Sequence, residues 1–359
     1  MNVTIIGGGN IGTYFAIEFS KKGHEVMIYS SRADEFSKEL EMIGATEEIL
    51  STAQIAGATD NLEKAVEKAE FIIITLPAFM LEEIASQLYP IVKSGICIGI
   101  IPGTGGVEFY FKYFAKKEVT VFGLQRAPAV ARLVQYGQRV RVKGKRQKLF
   151  LAAFPNGKAE AVAEVISDVF EMPCECLDNY LCVTLTPSNS LLHTSRLHSL
   201  FSDYYDGKIY SSVPLFYKEW DDDSSEMLLL CDAELQDICH ALKNLNMESV
   251  RSLKIHYESN TIKEMTSKIR SIESLQGIKT PMLRQGDGYI PEFESRYFMA
   301  DFPYGLAVIK QVADLAKVEV NSMNTLLKWY EEKVPNARKS VDLGRYGVNS
   351  LDDLIAIYQ

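Results

Sequence analysis

The chain has 359 residues, a length typical of about two domains at roughly 150 residues each. Its content of 47% hydrophobic and 24% charged residues excludes a wholly disordered chain and a collagen. The 38 basic and 47 acidic residues give a net charge of −9, and nucleic-acid binding needs an excess of Lys and Arg, so we expect no nucleic-acid partner. No stretch reaches about 18 apolar residues and no basic leader is present, so we expect no membrane partner and a cytoplasmic location. The Cys and His spacings complete no zinc set, so no metal site is expected.

The first half of the chain alternates strand and helix patterns. Strands that alternate with helices predict a mostly parallel, doubly wound sheet with helices on both faces. We therefore assign residues 1–180 to an α/β domain. The predicted strands cover 3–6, 25–29, 71–76, 96–101 and 119–123, and helical patterns cover 11–19, 81–92 and 159–170.

The stretch 139–154 departs from this alternation, because basic and apolar residues follow each other with period two. That pattern predicts a hairpin with a turn near Gly144 and a solvated basic face. A rim that attracts anionic substrates is the alternative.

Long helical patterns dominate the second half, so residues 181–359 are predicted to form an all-α C-terminal domain. The acidic run 221–223 is interpreted as a helix N-terminus, where carboxylates face the positive end of the macrodipole, rather than as a cation site. The predicted helices cover 188–205, 225–242, 247–256, 304–316 and 322–334.

A glycine loop joins the first strand to the first helix. Gly7, Gly9 and Gly12 have the G-x-G-x-x-G spacing of the dinucleotide-binding fingerprint. In that fingerprint the first glycine permits a tight turn, the second lets the backbone approach a pyrophosphate, and the third lets the helix pack closely on the strand. The helix start at Asn10 and Ile11 presents backbone N–H donors to the phosphates. The sequence thus predicts a Rossmann domain with a nicotinamide dinucleotide as cofactor.

The end of the second strand sets the choice between the two nicotinamide cofactors. Domains that prefer NAD usually carry an acid there for the ribose 2′-hydroxyl. This chain has Ser30, Ser31 and Arg32, which suit a 2′-phosphate. We therefore favour NADP(H). In the NAD(H) alternative, Arg32 points to solvent and Asp34 binds the ribose.

Two further loops lie at the carboxyl ends of buried strands, where ligands bind in open α/β sheets. Leu76 and Pro77 end one strand, and Pro102 ends the next. We expect these loops to flank the nicotinamide ribose, although the prolines would also serve simply to end the strands.

His193 is the candidate proton donor. Reduction of a C=O or C=N bond by hydride needs an acid that works near neutral pH, and imidazole suits that role. On residue type alone, a structural histidine is the stronger interpretation. Asp301, just before Pro303, shifts the weighting, because it is either the N-cap of a helix or a partner that fixes the tautomer of His193.

Together these residues resemble the octopine/nopaline (opine) dehydrogenase family. Besides the glycine loop, Asn189 and His193 match its Asn-Pro-x-x-His type of motif. Ser190 replaces the motif's proline, and Ala300 replaces the glutamate of a second motif, Arg-Tyr-x-x-Glu-Asp-hydrophobe-Pro-x-Gly-Leu. That second motif is matched by Arg296, Tyr297, Asp301, Pro303, Gly305 and Leu306.

The resemblance implies an NAD(P)H-dependent reductive condensation of an amino acid with a 2-oxo acid, often pyruvate. It implies His193 as general acid/base and Asp301 as its partner. Of the motif residues, we expect Asn189 to bind substrate and Arg296 to bind a substrate carboxylate, which needs a cationic partner. Arg132 and Arg196 are further candidate anchors for substrate carboxylates. The sequence leaves open which amino acid and oxo acid are used, the direction of the reaction, and whether the chain forms a homodimer.

Two other functions compete with this interpretation. A 2-oxo acid reductase similar to ketopantoate reductase would need a catalytic lysine near the start of the helical domain, and residues 183–207 contain none. A non-catalytic NADP-binding sensor would tolerate loss of the acid/base pair, so the presence of His193 and Asp301 argues against it.

Overall fold

A computed structural model describes residues 1–358, and the chain divides into two compact units. The first unit comprises residues 1–184 with Tyr358, and the second comprises residues 185–357. Within the described residues, every helix is too short or too polar to cross a membrane.

The first unit contains two sheets and the helices around them. Its strands are β1 (Asn2–Ile6), β2 (Glu25–Tyr29), β3 (Glu39–Ile43), β4 (Ile49–Gln54), β5 (Gly57–Thr59), β6 (Phe71–Ile74), β7 (Cys97–Ile100), β8 (Thr120–Leu124), β9 (Ala129–Gln135), β10 (Arg139–Lys145), β11 (Leu149–Phe154) and β12 (Cys174–Cys176). Its helices are α1 (Asn10–Lys21), α2 (Leu62–Val66), α3 (Leu81–Ile91), α4 (Val107–Phe111), α5 (Ala159–Phe170) and α6 (Leu181–Thr184).

The main sheet confirms the predicted doubly wound, mostly parallel architecture. Its strand order is β12-β11-β8-β7-β6-β1-β2-β5, and the strands from β8 to β5 in that order are parallel to their neighbours. β11 is antiparallel to β8. The direction of winding reverses between β1 and β6, which is where such sheets bind ligands at their carboxyl ends.

The predicted hairpin over residues 139–154 is wrong. β10 pairs antiparallel with β9 and parallel with β3 in a second sheet of order β4-β3-β10-β9, whereas β11 belongs to the main sheet. A period-two pattern identifies a strand but not its partner, because the pattern reports only which face is buried.

Three of the four basic residues of β10 are paired with acidic side chains. An ion-paired strand offers little net charge to an anionic substrate, so we discard the rim that was the alternative for this stretch. The pairs are Arg139–Glu41, Arg141–Glu47 and Lys145–Glu18.

Aromatic packing holds α1 in place behind the glycine loop. Phe15 and Phe19 are fully buried, and the ring of Phe170 from α5 lies with its centroid 4.7 Å from that of Phe15 and 6.3 Å from that of Phe19. The start of α1 is thereby fixed at the carboxyl end of β1, because the helix cannot shift without opening this core.

The second unit is mainly helical, as predicted, with one short antiparallel ribbon that the helical patterns did not indicate. The helix predicted over 247–256 extends only over Leu253–His256. Ser252 is its N-cap, and the side chain of Ser252 accepts a hydrogen bond from the N–H of Ile255. The elements are α7 (Asn189–Phe201), α8 (Asp222–Ala241), α9 (Leu253–His256), α10 (Ile262–Ser271), β13 (Met282–Gln285), β14 (Gly288–Pro291), α11 (Arg296–Met299), α12 (Ala307–Ala316), α13 (Asn321–Lys333) and α14 (Leu351–Ile355).

The acidic run 221–223 forms the N-terminus of α8, as predicted. The carboxylate of Asp221 accepts a hydrogen bond of 2.8 Å from the backbone N–H of Ser224. It also forms an ion pair with the buried guanidinium of Arg196 on α7. These contacts join α7 to the start of α8.

Candidate active site

The three fingerprint glycines of the loop have distinct surroundings. Gly7 adopts a φ of +108°, a region that favours glycine. A Cβ on Gly12 would lie 1.8 Å from the carbonyl oxygen of Gly7, so only glycine lets α1 pack this closely. A Cβ on Gly9 would meet nothing within 4 Å. The space beside Gly9 suits the approach of a pyrophosphate.

The start of α1 also fits a phosphate group. Gly9 occupies the N-cap position and has no side chain to satisfy the N–H groups of the first turn, so those groups suit an anion. The amide oxygen of Asn10 accepts a hydrogen bond of 2.7 Å from the N–H of Leu133 on β9. The side chain of Asn10 therefore fixes the helix to the second sheet, and the backbone at Asn10 and Ile11 is the part suited to a cofactor.

The tip of β2 holds Arg32 in a defined position. The guanidinium lies 3.8 Å from the centre of the Tyr136 ring and is paired with the carboxylate of Glu35. The hydroxyl of Ser30 is 2.6 Å from that of Tyr136 and accepts the N–H of Arg32 at 3.1 Å. Ser31 is exposed. Tyr136 and Glu35 were missed by the sequence analysis, because neither belongs to the fingerprint.

The loop after β6 lies against the glycine loop. The hydroxyl of Thr75 donates to the carbonyl oxygen of Gly7 at 3.1 Å, and the side chain of Leu76 reaches to 3.2 Å from the Cβ position of Gly7. Leu76 and Pro77 are half-buried. Their place at the switch point of the sheet is the one from which such loops border a bound dinucleotide.

In the second unit, the structure brings together the two residues that the sequence analysis paired. Nδ1 of His193 is 2.7 Å from Oδ2 of Asp301. The approach follows from close packing, because a Cβ on Gly305 would lie 2.2 Å from the hydroxyl of Ser190. Ser190 and His193 lie one turn apart on α7, and Asp301 and Gly305 lie about one turn apart on the facing segment.

Asp301 does not act as a capping side chain. It precedes a π-helical turn at Phe302–Leu306, in which the N–H of Leu306 bonds to the carbonyl oxygen of Asp301 at 2.8 Å, and its carboxylate is not used as a cap. Single π turns within helices are frequent at functional sites. The turn leaves the carboxylate available to His193.

Aromatic side chains enclose the ring of His193. Nε2 is 2.7 Å from the hydroxyl oxygen of Tyr217, the centroid of Tyr297 lies 4.4 Å from that of the imidazole, and the centroid of Phe216 lies 5.6 Å away. No motif indicated Tyr217, which lies 24 residues after His193.

Arg196 fixes the segment that carries Tyr217. It lies one turn after His193 on α7 and donates to the carbonyl oxygens of Phe216 and Glu219. This full engagement corrects the expectation that Arg196 is a candidate anchor for substrate carboxylates, because its guanidinium is buried in structural contacts.

Arg296 lies at a cavity of ≈ 890 Å³ within the second unit. The cavity is also lined by Tyr297, which packs on His193, and by charged side chains of both signs, Lys279, Glu292 and Glu294. A cavity with both cationic and anionic side chains suits a small zwitterion or dicarboxylate.

The two other predicted substrate residues lie elsewhere. Asn189 is exposed as the first residue of α7 and is not part of the lining described for this cavity. Arg132 is exposed on β9 and donates to the carbonyl oxygen of Ala131.

A buried carboxyl group in the first unit was also missed. Glu108 on α4 is fully buried, and it accepts hydrogen bonds of 2.7 Å from the hydroxyls of Thr184 and Tyr358. Burial raises the pKa of Glu108 to about 7 from an ordinary value of 4.5.

Among the described residues, no cluster of His, Cys, Asp and Glu has an arrangement suited to a metal ion.

Comparison with known proteins agrees with both halves of this description. The family described as NAD/NADP octopine/nopaline dehydrogenase, alpha-helical domain, matches residues 176–334, and the family described as NADP oxidoreductase, coenzyme F420-dependent, matches residues 2–105. Octopine dehydrogenase of Pecten maximus is 26% identical over 99% of this chain and 98% of the relative. Tauropine dehydrogenase of Arabella iricolor is 25% identical over 98% of this chain and 99% of the relative.

Solved structures share the fold. Octopine dehydrogenase with NADH and L-arginine has a TM-score of 0.84 at 24% identity and covers 99% of this chain and 98% of its own. Yersinopine dehydrogenase with NADP+ has a TM-score of 0.71 at 15% identity, with the same coverage of 99% and 98%.

A Rossmann domain with an intact glycine loop, followed by a helical domain, defines a nicotinamide-dependent dehydrogenase. Within that class, the chain is similar over nearly its whole length to octopine and tauropine dehydrogenases, and residues 176–334 match the helical domain of the octopine/nopaline dehydrogenase family. The resemblance inferred from the motifs is thereby confirmed.

Proposed function

We propose that the protein reductively condenses an amino acid with a 2-oxo acid and oxidises NAD(P)H. The hydrogen-bonded pair of His193 and Asp301 is the observation that carries this proposal, because a dehydrogenase that makes and reduces a C=N bond needs a proton donor. The relatives named for octopine and tauropine support the same reaction class.

The proposed chemistry assigns one task to each group of the pair. The amine attacks the oxo carbon, and the hydroxyl of the resulting carbinolamine must leave as water to form a C=N bond. His193 holds the proton for that departure, and Asp301 fixes Nδ1–H and stabilises the imidazolium. The bound nicotinamide supplies the hydride that reduces the C=N carbon.

Substrate carboxylates need cationic partners, and Arg296 is the candidate that the geometry supports. It is exposed at the edge of a cavity whose wall includes Tyr297, and Tyr297 packs against His193. We assign Arg296 to a substrate carboxylate. For Asn189 we keep the role that the family motif suggests, in positioning substrate at the start of α7.

For the cofactor we propose that NADPH is preferred over NADH. Arg32 is the cation at the tip of β2, where a 2′-phosphate is bound in NADP-dependent Rossmann domains. Glu35 opposes that preference, because its carboxylate already pairs with Arg32 and would repel a phosphate. The preference is therefore expected to be modest.

The test is NADPH oxidation with a panel of amino acids combined with 2-oxo acids, run beside the same 2-oxo acids without any amine. Turnover that depends on the amine supports the proposal. Turnover with the 2-oxo acid alone would instead identify a 2-oxo acid reductase. Cofactor binding without turnover across the panel would identify a sensor.

A further inference from the structure

Both ring nitrogens of His193 are engaged. Asp301 contacts Nδ1 and Tyr217 contacts Nε2, each at 2.7 Å. A carboxylate only accepts hydrogen bonds, so Nδ1 carries the hydrogen. In the neutral ring the lone pair is then on Nε2, and the hydroxyl of Tyr217 donates to it. In the imidazolium the direction reverses, and Nε2–H donates to Tyr217.

Packing keeps this arrangement in place. Tyr217 is buried, and its ring stacks against that of Trp220, with 6.4 Å between the ring centroids and an interplanar angle of 6°. The side chain of His193 is only 9% exposed, between Tyr297 and Phe216. A ring nitrogen makes one hydrogen bond, so Nε2 cannot reach a second ligand while Tyr217 holds it.

We propose that Tyr217 is a catalytic residue that relays the proton between Nε2 of His193 and the reacting carbinolamine. This inference rests on the proposed function, and it adds the group that touches the substrate. A tyrosine hydroxyl suits a relay because it accepts a proton from one side while it donates its own on the other. No net charge on the tyrosine is required.

The relay step balances. The carbinolamine hydroxyl takes the O–H proton of Tyr217, and Oη of Tyr217 takes the Nε2 proton of the imidazolium. The C–O bond breaks as the nitrogen lone pair forms the C=N bond. Water, a protonated imine and a neutral imidazole with Nδ1–H directed at Asp301 result. Each reduction consumes one proton, and solution returns it to His193.

The first test compares Tyr217→Phe with Tyr204→Phe. The first variant removes only the hydroxyl and keeps the ring that packs on Trp220. Tyr204 is also a buried tyrosine of this unit, and its ring packs on Tyr210. We expect Tyr217→Phe to lower kcat for amine-dependent turnover by about 10²-fold, the lower end for a lost acid/base group. We expect Tyr217→Phe to keep the wild-type cofactor affinity. The kcat of Tyr204→Phe should stay within about twofold of the wild-type value.

Two protons move together in the relay, and this has a kinetic signature. In mixtures of H2O and D2O, kcat of the wild type curves with deuterium content, whereas kcat of Tyr217→Phe varies linearly. A merely structural tyrosine would give the same dependence in both proteins. Unchanged or increased kcat in Tyr217→Phe would overturn the relay, since it would mean that substrate displaces the hydroxyl from Nε2.

A third measurement separates failure of the relay from failure of the proposed function. Nitrogen NMR of the substrate-free protein reports whether Nε2 of His193 accepts a hydrogen bond that Tyr217→Phe removes. If that bond is present and His193→Ala stops turnover but Tyr217→Phe does not, the relay is wrong and the proposed function stands. If the wild type shows no amine-dependent turnover, both are wrong.

Discussion

The two units build their candidate sites from different chemical groups, backbone in the first unit and side chains in the second. The candidate cofactor site of the first unit is mainly backbone, supplied by the glycine loop, with four glycines within six consecutive residues, and by the first turn of α1. The acid/base site of the second unit is made of side chains, and His193 and Asp301 lie 108 residues apart in sequence.

This difference predicts how each site responds to substitution. A backbone site is sensitive to added volume, because any Cβ at a glycine must find space. A side-chain site is sensitive to removed chemistry, because one missing polar atom stops proton transfer while the scaffold remains. The predictions that follow test this contrast, beginning with the largest effect.

Removal of the imidazole is expected to separate turnover from cofactor binding. His193→Ala should lower turnover by about 10²–10⁴-fold, the usual range for a lost acid/base group, while NADPH affinity stays at the wild-type value. Steady-state kinetics and fluorescence titration with NADPH measure the two quantities. His240→Ala, at an exposed position on α8, is the matched control. Wild-type turnover in His193→Ala would refute the assigned role.

Glu108 tests whether the first unit also depends on a side chain. Its pKa of about 7 in the folded state exceeds the ordinary 4.5, so the folded protein binds this proton more tightly than the unfolded chain. The free energy of unfolding should therefore fall as pH rises from about 4.5 to about 7, by about 3 kcal/mol from this group alone.

Glu108→Gln should remove that loss of stability. Relative to wild type, the variant should gain stability between pH 5 and pH 7.5, as measured by urea unfolding. Glu164→Gln on α5, where the side chain is exposed, is the control and should change nothing in this window. Identical pH profiles for wild type and Glu108→Gln would show that the buried carboxyl is not the cause.

A pair of glycine variants sharpens the contrast in the first unit. Gly12→Ala places a methyl group against the carbonyl oxygen of Gly7, so it should lower stability by about 1–3 kcal/mol and weaken cofactor binding. The methyl group of Gly9→Ala would meet no protein atom within 4 Å. This variant should therefore leave stability unchanged and weaken only the binding of the cofactor. Thermal unfolding and NADPH titration distinguish these outcomes. Equal losses of stability in both variants would contradict the open space beside Gly9, and unchanged NADPH binding in Gly9→Ala would contradict its role in admitting a pyrophosphate.

The same contrast explains what the sequence could reveal. The glycine loop is local, so spacing alone identified it, and continuous apolar runs identified buried strands such as β6. Besides its neighbour β9, β10 pairs with β3, about a hundred residues earlier in the chain, and periodicity carries no information about such pairing. His193 and Asp301 were first paired on chemical grounds, with an N-cap as the alternative for Asp301, and the motifs of a family then favoured the pair.

Tyr217, Tyr136 and Glu108 mark where sequence reasoning ends. Each acts through a contact that forms only in the folded chain: with His193, with Arg32, and with Thr184 and Tyr358. A tyrosine or glutamate in an unremarkable stretch gives no signal of such a partner. Burial and hydrogen bonding had to be observed.

The smallest expected effect concerns the proposed contact between the Arg32 side chain and the cofactor. Arg32→Ala should lower the affinity for NADPH by about 10-fold and leave the affinity for NADH nearly unchanged, since only NADPH has the 2′-phosphate that a guanidinium binds. Glu35→Gln should tighten NADPH by about threefold, because it frees Arg32 from its carboxylate partner and removes a negative charge. Glu63→Gln, at an exposed acid on α2, is the control. Fluorescence titration with both cofactors measures these changes, and equal effects on NADPH and NADH would show that Arg32 does not recognise a phosphate.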